Sequence, residues 1–205
     1  MASSVSHQDT ERAGVGVTAH GVSALRHYER ATRGPHGDAL INDPFAERLS
    51  GEIGSRWVDS LEPWRKTGMI DGLAVRTRRI DDDITAAINV RGKDKLSESD
   101  KFQVVVLGAG LDSRPWRLSE QIKYATNWFE VDFPEIFDYK LPIVASGSST
   151  TDSTITHIRV DADLSIPTWI SKLVDMGYHP SMPSIWLLEV HVTSVLEKPK
   201  NLMES

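Results

Sequence analysis

Two segments of the chain place chemically useful residues where strands of a parallel sheet are expected to end. Residues 103–114 read QVVVLGAGLDSR, which predicts a buried strand that breaks into a turn at Gly108 and Gly110. Residues 127–132 read NWFEVD and predict a second strand that ends in acids. A glycine turn lets the backbone approach a nucleotide-like ligand, and an acid about twenty residues later can hold a ribose. The spacing therefore predicts a nucleotide-like ligand site.

Carboxylates also follow the two later predicted strands. Asp161 and Asp163 come just after the third strand, and Glu189 ends the fourth. An acid after each strand repels phosphates, so the arrangement is a poor phosphate cradle. It suits a ligand with a ribose, an ammonium group and a positive centre. S-adenosylmethionine is such a ligand, and we predict it as the cofactor.

NAD is the competing nucleotide. Its fingerprint requires a third glycine, and the chain has Ser113 at that position, with Asp112 where the pyrophosphate would lie. Glu130 follows the turn by about twenty residues, as an NAD-binding acid would. The residues favour the methyl donor, and an NAD-dependent oxidoreductase remains the less favoured alternative.

Strands that alternate with helices predict an α/β fold with a doubly wound, Rossmann-like parallel sheet. Residues 102–107 form an apolar run interrupted only by Gln103, which is typical of a strand buried on both faces. Three further strands are predicted, over 128–131, 156–160 and 184–189. A helix is predicted over 167–176, stopped at Gly177. In such a sheet, ligands bind outside the carboxyl ends of the strands.

An N-terminal helical cover is predicted upstream of the sheet. Helices are expected from Thr18 to about Arg33, from an Asp43-Pro44 cap through Leu49, and over 68–90, where apolar residues recur at helical spacing. Asp81, Asp82 and Asp83 are predicted to be a solvated run that pairs with nearby arginines.

The chain divides into four predicted regions. These are a disordered lead-in at 1–16, the helical cover at 17–101, a donor-binding α/β core at 102–189 and a divergent tail at 190–205. Within the core, 146–153 is predicted to be a surface loop because it is rich in serine and threonine.

Composition narrows the class of protein. The 205 residues are 40% hydrophobic and 25% charged, which is typical of a soluble globular domain. A net charge of −6 argues against general nucleic-acid binding, and the absence of cysteine excludes disulfides and thiolate metal sites. No apolar run is long enough to span a membrane, and no signal peptide is recognisable. We predict a cytoplasmic protein without a metal, membrane or nucleic-acid partner.

Four motifs, in order, resemble those of the leucine carboxyl methyltransferase family. They are LINDPFAER at 40–48, RTRRID at 76–81, LGAGLDSR at 107–114 and FEVDFPE at 129–135. The resemblance extends from about Val17 to Glu189. It implies a class I S-adenosylmethionine-dependent methyltransferase that transfers a methyl group to a carboxyl or hydroxyl oxygen of a small-molecule or protein acceptor.

The resemblance also implies a role for particular residues in binding the donor. Arg76 pairs with the methionine carboxylate, and Gly108 and Gly110 let the backbone pass close to the methionine moiety. Asp132 accepts hydrogen bonds from the ribose hydroxyls. No residue is nominated as catalytic or as a metal ligand.

Three residues of the later strands complete the implied site. Asp163 meets the adenine by hydrogen bonding and Leu164 by packing. Glu189 lies near the amino group and the sulfonium of the donor.

The resemblance further predicts that the sheet is incomplete. The chain supplies about four of the seven strands of the class I fold. The fourth strand then becomes an exposed edge that offers a surface for self-association. Two functions follow, an active methyltransferase and, as the alternative, a catalytically inactive remnant that binds the donor.

Overall fold

A computed structural model of the chain describes residues 7–91, 101–146 and 153–189, with side chains from residue 16 onward. The first six residues of the predicted lead-in, the tail at 190–205 and most of the loop at 146–153 lie outside this range.

Three helices form the N-terminal cover: α1 (His7–Arg33), α2 (Ala46–Asp59) and α3 (Pro63–Arg91). Helix α1 begins at His7 rather than at the predicted Thr18. Once a helix is nucleated, each added residue gains a backbone hydrogen bond without any side-chain packing, so apolar periodicity underestimates its length. Gly51, at φ 52°, has a non-helical backbone and interrupts α2 just after the predicted end at Leu49, and a second helical segment continues beyond this kink to Asp59.

Four strands form an all-parallel sheet, which confirms the predicted fold class. They are β1 (Phe102–Leu107), β2 (Thr126–Asp132), β3 (Ile155–Asp161) and β4 (Ser184–Leu188), in the order β3-β2-β1-β4. Strand β1 pairs with β2 on one side and with β4 on the other. The strand order therefore reverses at β1, and ligands bind in the crevice that such a reversal opens.

Three shorter helices connect the strands: α4 (Arg114–Arg117), α5 (Pro134–Ala145) and α6 (Trp169–Asp175). Helix α6 is shorter than its predicted range of 167–176. Helix α5 was missed because its apolar residues have little helical periodicity and because Pro142 lies inside it. Its first residue is Pro134, a favoured residue in a first turn.

Both faces of β1 and β2 are buried, as expected for a parallel sheet. On one face, Val104 and Trp128 pack in a cluster with Ile88 of α3. On the other, Phe129 clusters with Leu173 of α6. This packing fixes the carboxyl ends of β1 and β2 next to each other at one edge of the sheet.

Strand β4 is less covered and lies at an edge of the sheet in the described part of the chain. Trp186 is 47% exposed and Leu188 is 62% exposed. The described residues contain four strands, the number predicted from the sequence. None of the described helices combines the length and apolarity needed to cross a membrane.

Candidate functional site

The glycine turn lies where the strand order reverses. Gly108 and Gly110 adopt φ angles of 65° and 51°, a left-handed conformation that favours glycine. The backbone N–H of Gly108 donates to the carbonyl of Val131 at 2.9 Å, which ties the turn to the end of β2. A Cβ added to Gly110 would lie 3.4 Å from the Cβ of Ala19, so α1 covers this side of the turn.

The Asp132 carboxylate is fixed against that turn. Its Oδ2 accepts a hydrogen bond from the backbone N–H of Gly110 at 2.6 Å, and its Oδ1 accepts one from Phe133 at 2.7 Å. Asp132 is only 6% exposed. This burial raises the pKa of its carboxyl group, although the hydrogen bonds from the two N–H groups oppose the shift. Each oxygen keeps acceptor capacity for a ligand hydroxyl.

Arg76 and Glu189 are brought together from distant parts of the chain. Arg76 lies on α3, and Glu189 follows β4 directly. The Nη2 of Arg76 is 3.3 Å from the Oε2 of Glu189, with 42% of the Arg76 side chain and 20% of the Glu189 side chain exposed. The crevice is therefore bordered by one cation and one anion that contact each other.

Asp163 and Leu164 follow β3. A Cβ added to Gly108 would lie 3.9 Å from the Cδ1 of Leu164, so this half-buried side chain lies beside the glycine turn. The Oδ1 of Asp163 accepts hydrogen bonds from the backbone N–H and the hydroxyl of Ser165, at 2.9 and 2.6 Å. Asp163 thus shapes the loop that presents Leu164 to the turn.

Sequence reasoning missed the buried Arg114, which is 4% exposed and connects three carboxylates. Its Nε donates to Asp81 at 2.7 Å and its Nη1 to Asp112 at 2.9 Å. Its Nη2 lies 2.6 Å from the Oε1 of Glu189, although this contact lacks the alignment of a hydrogen bond. The three partners come from α3, from the glycine turn and from the end of β4.

The charges in this cluster stabilise one another. Burial by itself would raise the pKa of Asp112, but Arg114 and Arg117 outweigh that effect and hold it well below its usual range. Burial would likewise lower the pKa of Arg114, and the carboxylates of Asp112, Glu189 and Asp81 raise it instead. Asp112 and Arg114 therefore both stay charged at neutral pH.

Asp81 corrects the prediction of a solvated acidic run. It is 6% exposed and accepts hydrogen bonds from both Arg114 and Arg117. Only Asp82 and Asp83 form the expected exposed pairs, with arginines four residues earlier. Ile84 and Ile88 follow Asp81 by three and seven residues, a helical spacing that identifies its position as part of the buried face of α3.

A second buried ion pair holds the glycine turn from the other side. The Oδ2 of Asp43 accepts hydrogen bonds from Arg26 Nε at 2.8 Å and from Ser113 Oγ at 2.7 Å. Arg26 also donates to the backbone carbonyl of Leu111 at 2.8 Å. Asp43 additionally accepts from the N–H of Phe45 at 3.0 Å. Helix α2 begins only at Ala46, with Phe45 as its N-cap and no side-chain cap, so the predicted Asp43-Pro44 cap is wrong. The NDPFA motif therefore secures the turn.

Glu130, the acid that NAD binding would use, is not accessible. Its side chain is fully buried, with Oε2 2.6 Å from Lys140 Nζ and 2.7 Å from His157 Nε2. Asp112 is occupied by Arg114. The structure thus leaves Asp132 as the acid of β2 that borders the glycine turn, which favours the methyl donor over NAD. Within the described ranges, no cluster of three or more His, Asp or Glu side chains is arranged to bind a metal.

Comparison with known proteins shows which family the chain resembles in sequence. A sequence profile described as leucine carboxyl methyltransferase matches residues 19–196. A protein of Mycobacterium bovis BCG, provisionally named an S-adenosyl-L-methionine-dependent methyltransferase, is 34% identical over 190 residues, covering 85% of this chain and 56% of the relative. A Mycobacterium avium protein with the same provisional name is 33% identical over 188 residues, with the same coverage of each chain. The chain therefore spans about half the length of the curated relatives it matches.

Proposed function

The chain belongs to the leucine carboxyl methyltransferase family, and on that premise we propose that it binds S-adenosylmethionine in the crevice between β1 and β4 and transfers its methyl group to an oxygen. One observation carries the proposal. Arg76 and Glu189, which are far apart in sequence, meet beside the Gly108–Gly110 turn with opposite charges. The amino-acid end of the donor has one carboxylate and one ammonium group, so the two side chains match it in sign and number.

The remaining contacts suit the nucleoside end of the donor. Asp132 is anchored by the turn and keeps acceptor capacity for ribose hydroxyls. Leu164 offers an apolar surface beside Gly108. Because Gly108 has no Cβ, the donor can come close to the backbone of the turn. Asp163, on the same loop, is assigned to the adenine.

The chain's own residues bind and orient rather than react. When bound, the donor supplies an electrophilic methyl group and leaves as a neutral thioether. The protein has to align an acceptor oxygen with that methyl group and keep the geometry fixed. The buried pairs at Arg114 and Arg26 provide such rigidity for the glycine turn.

We infer that the acceptor oxygen belongs to a carboxylate or a hydroxyl of a small molecule or protein. A carboxylate is already deprotonated at neutral pH and needs no base, whereas a hydroxyl has to lose a proton. Among the described residues we assign no general base. The carboxylate is therefore the acceptor class that this site suits better.

A second function, donor binding without turnover, is favoured by the exposed edge of the sheet. Leu188 is 62% exposed immediately before Glu189, so one border of the crevice is open to solvent. The chain also spans 56% of the length of its relatives.

Calorimetry with S-adenosylmethionine and a radiolabelled methyl-transfer assay on the same purified chain test the proposal. We expect binding that the Asp132→Ala variant weakens at least about tenfold, since one charged hydrogen bond is worth about 1.5–3 kcal/mol. Asp138→Ala is the control, because its side chain on α5 is 68% exposed and pairs with Arg159. Heat with NAD but not with S-adenosylmethionine would overturn the donor assignment. Binding without transfer to any carboxylate or alcohol offered would support the second function.

A further inference from the structure

We propose that the Arg76–Glu189 ion pair lies where the amino-acid group of the donor binds, and that Arg114 is the positioning residue that retains Glu189 when the ligand takes over Arg76. The inference rests on the proposed function. It assigns to Arg114 a task that the family motifs do not suggest. It also makes donor binding an exchange of ion partners.

Arg114 is built to stay in place. Its side chain is 5% exposed, and its three carboxylate partners lie within 2.9 Å. The side chains of Asp81 and Asp112 are also buried, with exposed fractions of only 9% and 10%. A guanidinium with five donors in a rigid plane suits several carboxylates at once. Moving it would expose or unpair several buried charges, which is costly.

Arg76 is held far less tightly. Its described ion partner is Glu189, at 3.3 Å, which is longer than the 2.7–2.9 Å typical of a charge-assisted hydrogen bond. Its side chain is 42% exposed, and ion pairs of that kind contribute little net free energy. An incoming α-carboxylate can therefore replace Glu189 on Arg76 at small cost.

Charge balance favours this exchange. Arg76, Arg114 and Arg117 face Asp81, Asp112 and Glu189, so the cluster holds three charges of each sign. The amino-acid group of the donor adds one carboxylate and one ammonium, which preserves neutrality. After the exchange, the ammonium contacts Glu189, and Glu189 stays on Arg114.

Glu189 has acceptor capacity for a new donor group. Its Oε1 is buried and lacks an aligned hydrogen-bond donor despite the nearby Arg114. A carboxylate has about four lone-pair sites, and the two guanidiniums use few of them. Without Arg114, Glu189 would remain paired with Arg76, and this ion pair would compete with the amino-acid group of the donor.

Two thioether ligands that differ only in the amino-acid part test the role of Arg114. S-adenosylhomocysteine has that part and 5′-methylthioadenosine lacks it. In calorimetry, we expect Arg114→Gln to weaken the binding of S-adenosylhomocysteine at least about tenfold. The affinity for 5′-methylthioadenosine should change less than about twofold. The matched control is Arg117→Gln, because Arg117 is equally buried and bonds to Asp81 but not to Glu189. It should leave the ratio of the two affinities unchanged.

A double-mutant cycle distinguishes positioning from general support. If Arg114 acts through Glu189, Arg114→Gln combined with Glu189→Gln binds S-adenosylhomocysteine no more weakly than Glu189→Gln alone. Additive losses, or an equal loss for both ligands, would overturn the positioning role. Failure of the unmodified chain to bind either ligand would instead refute the proposed function together with this inference.

A variant at the exposed Arg76 keeps the inference testable if Arg114→Gln does not fold. Decarboxylated S-adenosylmethionine has the ammonium but no α-carboxylate, so it gains nothing from Arg76 and must compete with it for Glu189. We expect Arg76→Gln to bind this ligand several-fold more tightly than the unmodified chain, while binding S-adenosylmethionine more weakly. Unchanged or weaker binding of the decarboxylated ligand would rule out the exchange.

Discussion

The buried Arg26–Asp43 pair offers a sharp test of how the cover stabilises the glycine turn. Asp43→Ala removes the carboxylate that accepts hydrogen bonds from Arg26, Ser113 and the N–H of Phe45. The side chains of Arg26 and Asp43 are only 8% and 0% exposed, so the guanidinium would be left without its ion partner inside the protein. Breaking one side of a buried pair costs about 3–5 kcal/mol.

That loss is large beside a total unfolding free energy of about 5–15 kcal/mol. For a chain of this size it corresponds to a Tm lowered by about 6–20 °C. Urea titration followed by tryptophan fluorescence measures the change in unfolding free energy directly. Asp82→Ala is the matched control, because its ion pair with Arg78 is 55% exposed on both sides and contributes about 1 kcal/mol or less.

A double variant tests the cause of the loss. Arg26→Met removes the cation, so adding it to Asp43→Ala should cost less than the sum of the two single changes. The interpretation would be refuted if Asp43→Ala were no more destabilising than Asp82→Ala. Strict additivity of the two buried changes would also contradict it.

Three further outcomes follow from individual contacts. The pKa of Asp112 lies below its ordinary value of 3.8, so the ionised carboxylate stabilises the fold fully above about pH 4, and this stabilisation is lost as the pH falls further. Urea titration below pH 4 should therefore show a smaller loss of unfolding free energy with falling pH in Asp112→Asn than in the unmodified chain. A Cβ on Gly54 would clash with the backbone oxygen of His20, so Gly54→Ala should lower the Tm. A Cβ on Gly72 would have no atom within 4 Å, so Gly72→Ala should raise the unfolding free energy by about 0.5–1 kcal/mol. If the free edge of β4 pairs with a second copy, Leu188→Lys should shift the mass from sedimentation equilibrium towards the monomer, and a concentration-independent monomer before the change would contradict that prediction.

Much of the α/β core was predictable because its determinants are local. The apolar run at 102–107 matches β1 residue for residue, and the glycines that follow adopt the left-handed turn. The helix over 68–90 was found from periodicity, although α3 extends from Pro63 to Arg91. Element ends were less predictable because helices lengthen by backbone hydrogen bonding, which has no side-chain pattern.

The candidate site was predictable only in part. Gly108, Gly110 and Asp132 were found because they lie at the ends of adjacent strands, and strand ends of a parallel sheet meet at one edge. Arg114 was missed because an arginine in a charged motif has no local feature that identifies it as buried. Asp81 was misassigned for the opposite reason, since its acidic neighbours at 82 and 83 concealed its place on the apolar face of α3.

The order of residue types along the chain determined the strands, the turn and the acids that follow each strand, because backbone conformation and burial on a sheet depend on neighbouring residues. Only the tertiary structure decided which charges meet. Arg76, Arg114 and Glu189 are separated by long stretches of chain, and the contacts of both arginines with Glu189 depend on α3, α4 and the end of β4 meeting at one crevice. Ion pairing at that range follows from distance in space, which local sequence does not encode.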